Sequence, residues 1–289
     1  MQTNTHPAHS YTICLIAGES SGDMIGGKLM ASLKGLSSKP IQFIGIGGEN
    51  MRNEGLQSLF PISELSIMGI SEIVPYIPKL LKRIKYTSEE IKTMNPQAVV
   101  TIDSPGFSLR VANKLKHTDI QLIHYVAPSV WAWKSWRAKN MSKCFNRILT
   151  LFEFETSYFE AAGLKSVFVG HPIIESGAAN GDGAAFRSRN GIPLNAKLIC
   201  ILPGSRLTEI KKHLPIIEDS LKLLSNILPD FWLVLPLVNH VAAETKAVVK
   251  NWPFSVILIE GANVENKYDA FAASDAAIAC SGTVALELA

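Results

Sequence analysis

The chain has 289 residues, 47% of them hydrophobic, and a formal net charge of +3. That length and apolar content suit about two packed domains, and so mild a charge gives no ground for nucleic acid as a partner. No apolar run approaches the roughly 18 residues of a membrane span, and the polar stretch Met1 to Ser10 reads as a disordered tail, not a signal peptide. Cys14, Cys144, Cys200 and Cys280 stand far apart, which is the usage of a reducing cytosol, with neither a disulfide frame nor a Cys-x-x-Cys metal site.

The first strand is expected over Thr12 to Ala17, leading through Gly18-Glu-Ser-Ser-Gly-Asp23 into a helix that carries Leu29 and Leu33. Such a small-residue entry leaves backbone N–H groups at the helix start. Gly18, Glu19, Ser20, Ser21, Gly22 and Asp23, with Ser129 further on, are candidates for lining a cleft; Glu19 and Asp23 read either as ligands of sugar hydroxyls or as caps of the first helix. A second strand, Ile41 to Gly45, is closed by Gly47-Gly48 and a short helical stretch Glu49 to Glu54. Residues 62 to 94 read as helical or irregular, cut by Pro75 and Pro78 and stopped by Asn95-Pro96.

Ala98 to Ile102 is apolar apart from Thr101, hence a central parallel strand, and it delivers Asp103 at the end where open α/β sheets bind ligands. Partial burial there raises a carboxyl pKa toward that of a useful base, and Pro105 keeps Asp103 out of the next helix; the alternative is a helix cap or Asx-turn aspartate. A helix Phe107 to Leu115, a strand Ile120 to Val126, a loop Ala127-Pro-Ser129 and a helix Trp136 to Met141 follow. Next come a strand Phe145 to Leu151, a helix Glu155 to Ala162 and a strand Ser166 to Val169 ending at Gly170-His171-Pro172, where His171 reads as a ligand-facing or a structural histidine. Glu175 to Pro193 has no apolar period and reads as an interdomain connection.

Leu198 to Leu202 is a buried strand, Pro203-Gly204-Ser205 a tight turn, and Arg206 opens a helix with Ile210, Leu214, Ile217 and Leu221 at helical spacing. Free N–H groups at that turn and the arginine fork suit a phosphate; a plain turn with a surface arginine is the alternative. Strands Phe231 to Leu235, Val256 to Ile259 and Ala276 to Ala279 alternate with helices Val241 to Val249 and Tyr268 to Ala273. Ser281-Gly282-Thr283 opens another helix with Glu287 one turn on, placed either to hold ribose hydroxyls or simply as a capped start. A chain that stops two turns into a helix reads as part of a longer protein. The expected organisation is a tail 1–10, a first domain 11–174, a connection 175–193 and an incomplete nucleotide-binding domain 194–289: α/β, two Rossmann-like domains with a cleft between them.

Two stretches have the composition of a membrane interface. Met68, Ile70, Tyr76 and Ile77 precede Lys82 and Arg83, and Trp131, Trp133 and Trp136 interleave with Lys134, Arg137 and Lys139; core tryptophans beside a solvated charged face are the alternative. No Asp-x-Asp pair and no clustered His/Cys set is present, so neither a metal nor a cofactor is expected.

Taken together, Gly18-Glu-Ser-Ser-Gly-Asp23, Met68-Gly69, Ile102-Asp-Ser-Pro-Gly-Phe107, His124-Tyr-Val-Ala-Pro-Ser-Val-Trp-Ala-Trp133, Phe152-Glu-Phe-Glu155, Val169-Gly-His-Pro172, Leu202-Pro-Gly-Ser-Arg206 and Ser281-Gly-Thr-Val-Ala-Leu-Glu287 resemble the ordered motifs of the lipid-A-disaccharide synthase family, from Thr12 onward. The resemblance implies a B-type inverting glycosyltransferase that moves 2,3-diacylglucosamine from its UDP derivative to the 6-hydroxyl of 2,3-diacylglucosamine 1-phosphate, releasing UDP, on the cytoplasmic face of a Gram-negative inner membrane with anionic lipid. It implies Asp103 as general base, Gly204, Ser205 and Arg206 on the diphosphate and Glu287 on the ribose. The chain departs from many relatives in carrying Gly106 and Ser108 where they have an acid and an asparagine. A UDP-sugar epimerase of similar architecture and an inactive nucleotide- or lipid-binding fragment are the competing readings.

Overall fold

The computed structural model describes residues 10–65, 77–132, 134–260 and 264–289, with the backbone alone for Thr283. Of the candidates, Met68, Ile70, Tyr76, Trp133 and the side chain of Thr283 lie outside the described residues, as does nearly all of the expected tail. The chain divides into two units, Met1–His171 and Pro172–Ala289.

The first unit runs β1 (Tyr11–Ala17), α1 (Ser20–Leu36), β2 (Ile41–Ile46), α2 (Glu49–Asn53), β3 (Gln57–Ser58), α3 (Ile77–Met94), β4 (Ala98–Ile102), α4 (Pro105–Leu115), β5 (Gln121–Tyr125), α5 (Trp136–Ser142), β6 (Arg147–Thr150), α6 (Glu155–Glu160) and β7 (Lys165–Phe168). Its sheet is parallel, in the order β3-β2-β1-β4-β5-β6-β7. Both faces of the central strands are covered, which is why β1 and β4 are mostly apolar, with Thr12 and Thr101 as their buried polar residues. Alternation along β1 sends Cys14 and Ile16 into one core with Val111, Leu115 and Phe159, and Leu15 and Ala17 into another with Met30 and Ile102. None of the described helices is long and apolar enough to cross a membrane.

The second unit runs α7 (Gly183–Arg189), β8 (Lys197–Leu202), α8 (Leu207–Ser225), β9 (Phe231–Pro236), α9 (Ala242–Val249), β10 (Val256–Ile259), α10 (Val264–Ala273), β11 (Ala276–Ala279) and α11 (Thr283–Leu288). Its parallel sheet has the order β10-β9-β8-β11. The stripe Ile210, Leu214, Ile217 and Leu221 of α8 is buried as its spacing requires, each side chain contributing about 1.5–3 kcal/mol.

Two local expectations are corrected. The segment 175–193 is not a plain connection: it holds a 3-10 turn (Ala178–Asn180) and α7, whose Phe186 is fully buried in the second core. Seven residues with one large apolar side chain are too few to show a helical period. Pro78 does not cut a helix; it occupies the first turn of α3, where no intrahelical N–H is needed.

Candidate active site

In each sheet the strand order reverses beside one strand. β1 has β2 on one side and β4 on the other, with Ala17 opposite Ile102. In the second unit β8 lies between β9 and β11, with Leu202 opposite Ala279. Loops after such strands diverge and leave a crevice at the carboxyl ends. The reversals place Gly18 and Asp103 in one unit, and Pro203 and Cys280 in the other, at these positions.

Asp103 and Ser104 both take left-handed backbone, φ +52° and +47°. An L residue there costs roughly 1–2 kcal/mol, so the turn is held by its surroundings. Asp103 N–H donates to Tyr125 O at 2.9 Å, the Ser104 carbonyl accepts from Phe107 and Ser108 N–H at 3.1 Å each, and Ser108 Oγ donates to Asp103 O at 2.8 Å. Burial pushes the Asp103 carboxyl above its ordinary pKa, against a backbone hydrogen bond at Ser104 that lowers it. Beneath, His124 is fully buried and its Nδ1 lies 2.7 Å from Thr101 Oγ1; burial drives its pKa down to about 4, which keeps it neutral.

Gly18 abuts the same turn: a Cβ on it would stand 2.1 Å from Ser104 Oγ. Any side chain would drive the loops apart. Ser20 and Ser21 are exposed at the start of α1, Glu19 is partly buried at its N-cap, and Gly22 is buried. Asp23 departs from the expectation. Its carboxylate is buried and accepts from Gly48 N–H (2.6 Å), Asn50 N–H (3.0 Å), Asn50 Nδ2 (2.9 Å) and Met51 N–H (3.1 Å). It is therefore a cap, though of α2 and not of its own helix, and both oxygens are already engaged. Ser129 is exposed in the loop after β5, where its carbonyl accepts from Ala132 N–H.

The turn after β8 forms as expected but its N–H groups are not free. Glu209 folds back, and its Oε2 accepts from Ser205 N–H at 2.9 Å and Arg206 N–H at 3.1 Å, while Oε1 lies 3.5 Å from Arg206 Nη1. A carboxylate three residues into a helix commonly reaches back in this way, as one half of a capping box. Gly204, at φ +120°, makes room: a Cβ would sit 2.5 Å from Glu209 Oε2. The result is an anion seat filled by the chain's own carboxylate beside an exposed guanidinium. Ser281 and Pro203 line one cavity of about 390 Å³ with His213, Ile217 and Ile278. Ser281 and Gly282 are exposed, and Glu287 is held by Lys267 Nζ at 2.8 Å and faces Tyr268 OH at 3.4 Å. Lys267 carries no motif signal; only the packing of α10 against α11 reveals it.

Of the membrane candidates, Trp131 (49% exposed) and Trp136 (54%) are not core residues. Trp131 meets Phe154 edge-on at 5.5 Å, and Phe154 stacks on Phe152 at 5.7 Å, so an aromatic cluster forms beyond β5 and β6. Ile77, Leu81 and Lys82 are exposed on α3. Arg83 is engaged within the unit by bidentate hydrogen bonds to Glu64, 2.7 and 3.0 Å, and by the Phe60 ring 4.4 Å away.

A family model described as lipid-A-disaccharide synthetase matches residues 13–289. The chain belongs to that family. Lipid-A-disaccharide synthase of Paramagnetospirillum magneticum is 51% identical over 279 residues, 96% of this chain and 71% of that protein. The synthase of Rhodospirillum centenum is 48% identical, over 96% of this chain and 69% of its own length. Solved structures with the same fold include UDP-GlcNAc 2-epimerase from Neisseria meningitidis bound to UDP-GlcNAc, with TM-score 0.63 and 13% identity over 94% of this chain and 78% of that one. The Methanocaldococcus jannaschii epimerase, in complex with UDP-GlcNAc and UDP, gives 0.61 and 12% over 96% and 80%. At such identities the epimerases are relatives in fold alone, so the family match decides between the two enzyme readings in favour of the synthase.

Proposed function

We propose that the chain is a glycosyltransferase of lipid A biosynthesis that joins two diacylated glucosamine units. The family match over residues 13–289 carries this reading. The donor is UDP-2,3-diacylglucosamine and the acceptor is 2,3-diacylglucosamine 1-phosphate. Asp103 takes the proton from the acceptor 6-hydroxyl as that oxygen bonds to the anomeric carbon; the bond to UDP breaks with inversion, through an oxocarbenium-like state. UDP leaves with the negative charge, stabilised by Arg206 and, once Glu209 gives up the Ser205 and Arg206 N–H groups, by the turn Gly204-Ser205. Glu287, aligned by Lys267, takes the ribose, with Ser281, Gly282 and Thr283 alongside. Asp103 at the strand reversal, with its pKa raised, supports the base role; the exposed guanidinium of Arg206 at the start of α8 supports the diphosphate role.

The test is mass spectrometry of the products after incubation with both substrates. A tetraacyl disaccharide 1-phosphate is expected, and its absence sinks the reading for this chain. Arg206→Ala removes one charged hydrogen-bonding partner and is expected to raise donor KM about 10- to 100-fold. An unchanged donor KM moves the diphosphate elsewhere.

Both substrates carry acyl chains, so the enzyme works at a membrane surface, peripherally on the cytoplasmic side of the inner membrane. Exposed Trp131, Trp136, Ile77 and Leu81 with Lys82 support that contact. The double variant Trp131→Ala/Trp136→Ala is expected to lower retention on anionic vesicles about tenfold or more in a flotation assay. Equal retention assigns the tryptophans another role.

A further inference from the structure

We infer that Ser108 is a positioning residue for the Asp103 carboxylate. The inference rests on the reading of Asp103 as the base. Ser108 lies one turn into α4 and is fully buried, so its hydroxyl meets no solvent and no substrate. It nevertheless holds the turn twice, through its N–H on the Ser104 carbonyl at 3.1 Å and through its hydroxyl on the Asp103 carbonyl at 2.8 Å.

The peptide between Asp103 and Ser104 is the one that needs holding. It joins two consecutive left-handed residues, each disfavoured for an L side chain. Asp103 N–H is fixed to the sheet through Tyr125 O, which sets one end of the residue. The carbonyl at its other end is fixed by the Ser108 hydroxyl. With both ends tied, the direction of Cα–Cβ is set, and the carboxylate leaves the backbone along one line. Without the hydroxyl, the Asp103 carbonyl is left unsatisfied and the peptide is free to rotate toward ordinary φ, carrying the carboxylate off its line. A displacement of about 1 Å at a reacting group is enough for a hundredfold loss.

Ser108→Ala is expected to lower kcat about 10- to 100-fold with KM for both substrates and UDP affinity held within about threefold. A residue acting only through Asp103 has nothing to position once the carboxylate is gone. In an Asp103→Asn background the same substitution is therefore expected to cost nothing further. Ser108→Cys keeps the volume with a weaker donor and carries the same test where the alanine variant melts early. Wild-type kcat in Ser108→Ala, or an equal loss in the Asp103→Asn background, overturns the role of Ser108 and leaves the base in place. Full turnover in Asp103→Asn alone removes the base itself, and is distinguishable for that reason.

Discussion

Asp103→Asn is expected to reduce turnover about 10²- to 10⁴-fold while UDP affinity stays unchanged. The amide has nearly the same shape and cannot take a proton, so the backbone turn and its hydrogen bonds persist. Single-turnover kinetics reads the loss, and calorimetric titration with UDP reads the binding. A parallel loss of UDP affinity would move Asp103 from base to nucleotide ligand. The wild-type pH profile carries a second readout of the same group. The base works only when ionised, and burial raises its pKa above the ordinary 3.8, so kcat/KM falls as pH drops through that raised value. The acid limb thus lies at higher pH than a solvated aspartate would give, and it is absent from the asparagine variant's residual rate.

Arg187→Met is expected to destabilise the second unit by about 3–5 kcal/mol, lowering its melting temperature by roughly 12–20 °C. Arg187 is 8% exposed and ties α7 to the rest of the unit. Its Nε and Nη2 donate to Ala273 O at 3.1 and 2.7 Å, Nη1 donates to Pro193 O at 2.9 Å and Ala196 O at 2.8 Å, and Nη2 meets Asp275 Oδ2 at 3.0 Å. Removing the guanidinium takes hydrogen bonds from the carbonyls of Ala273, Pro193, Leu194 and Ala196 at once, of which Pro193 O keeps the Ala196 N–H, and that is what makes one surface-type residue matter so much here. Asp275 has support besides Arg187: the Leu198 N–H and then Lys197 do most to hold its pKa down at about 2. Its contribution is present above the ordinary 3.8 and is lost as pH falls through about 2. Thermal melting at neutral pH tests Arg187 itself, and a shift of a degree or two would mean that water replaces its bonds.

The local sequence determined most of the elements and both strand-turn-helix units. Buried parallel strands are mostly apolar, as Leu198 to Leu202 is throughout and Ala98 to Ile102 is apart from Thr101; the stripe Ile210, Leu214, Ile217, Leu221 must repeat at helical spacing, and it does. The same rules located Asp103 and Arg206, because a ligand-binding residue in such a sheet follows the carboxyl end of a strand. Only tertiary structure decided which polar side chains remain available. Asp23 caps a helix 25 residues away, Arg83 is engaged by Glu64, and Lys267 reaches Glu287. A carboxylate reads the same in sequence whether it waits for a sugar or satisfies a backbone N–H. Strand order, the pairing of Ala17 with Ile102 and the folding of α7 onto Asp275 arise from contacts distant along the chain, and local periodicity carries no trace of them.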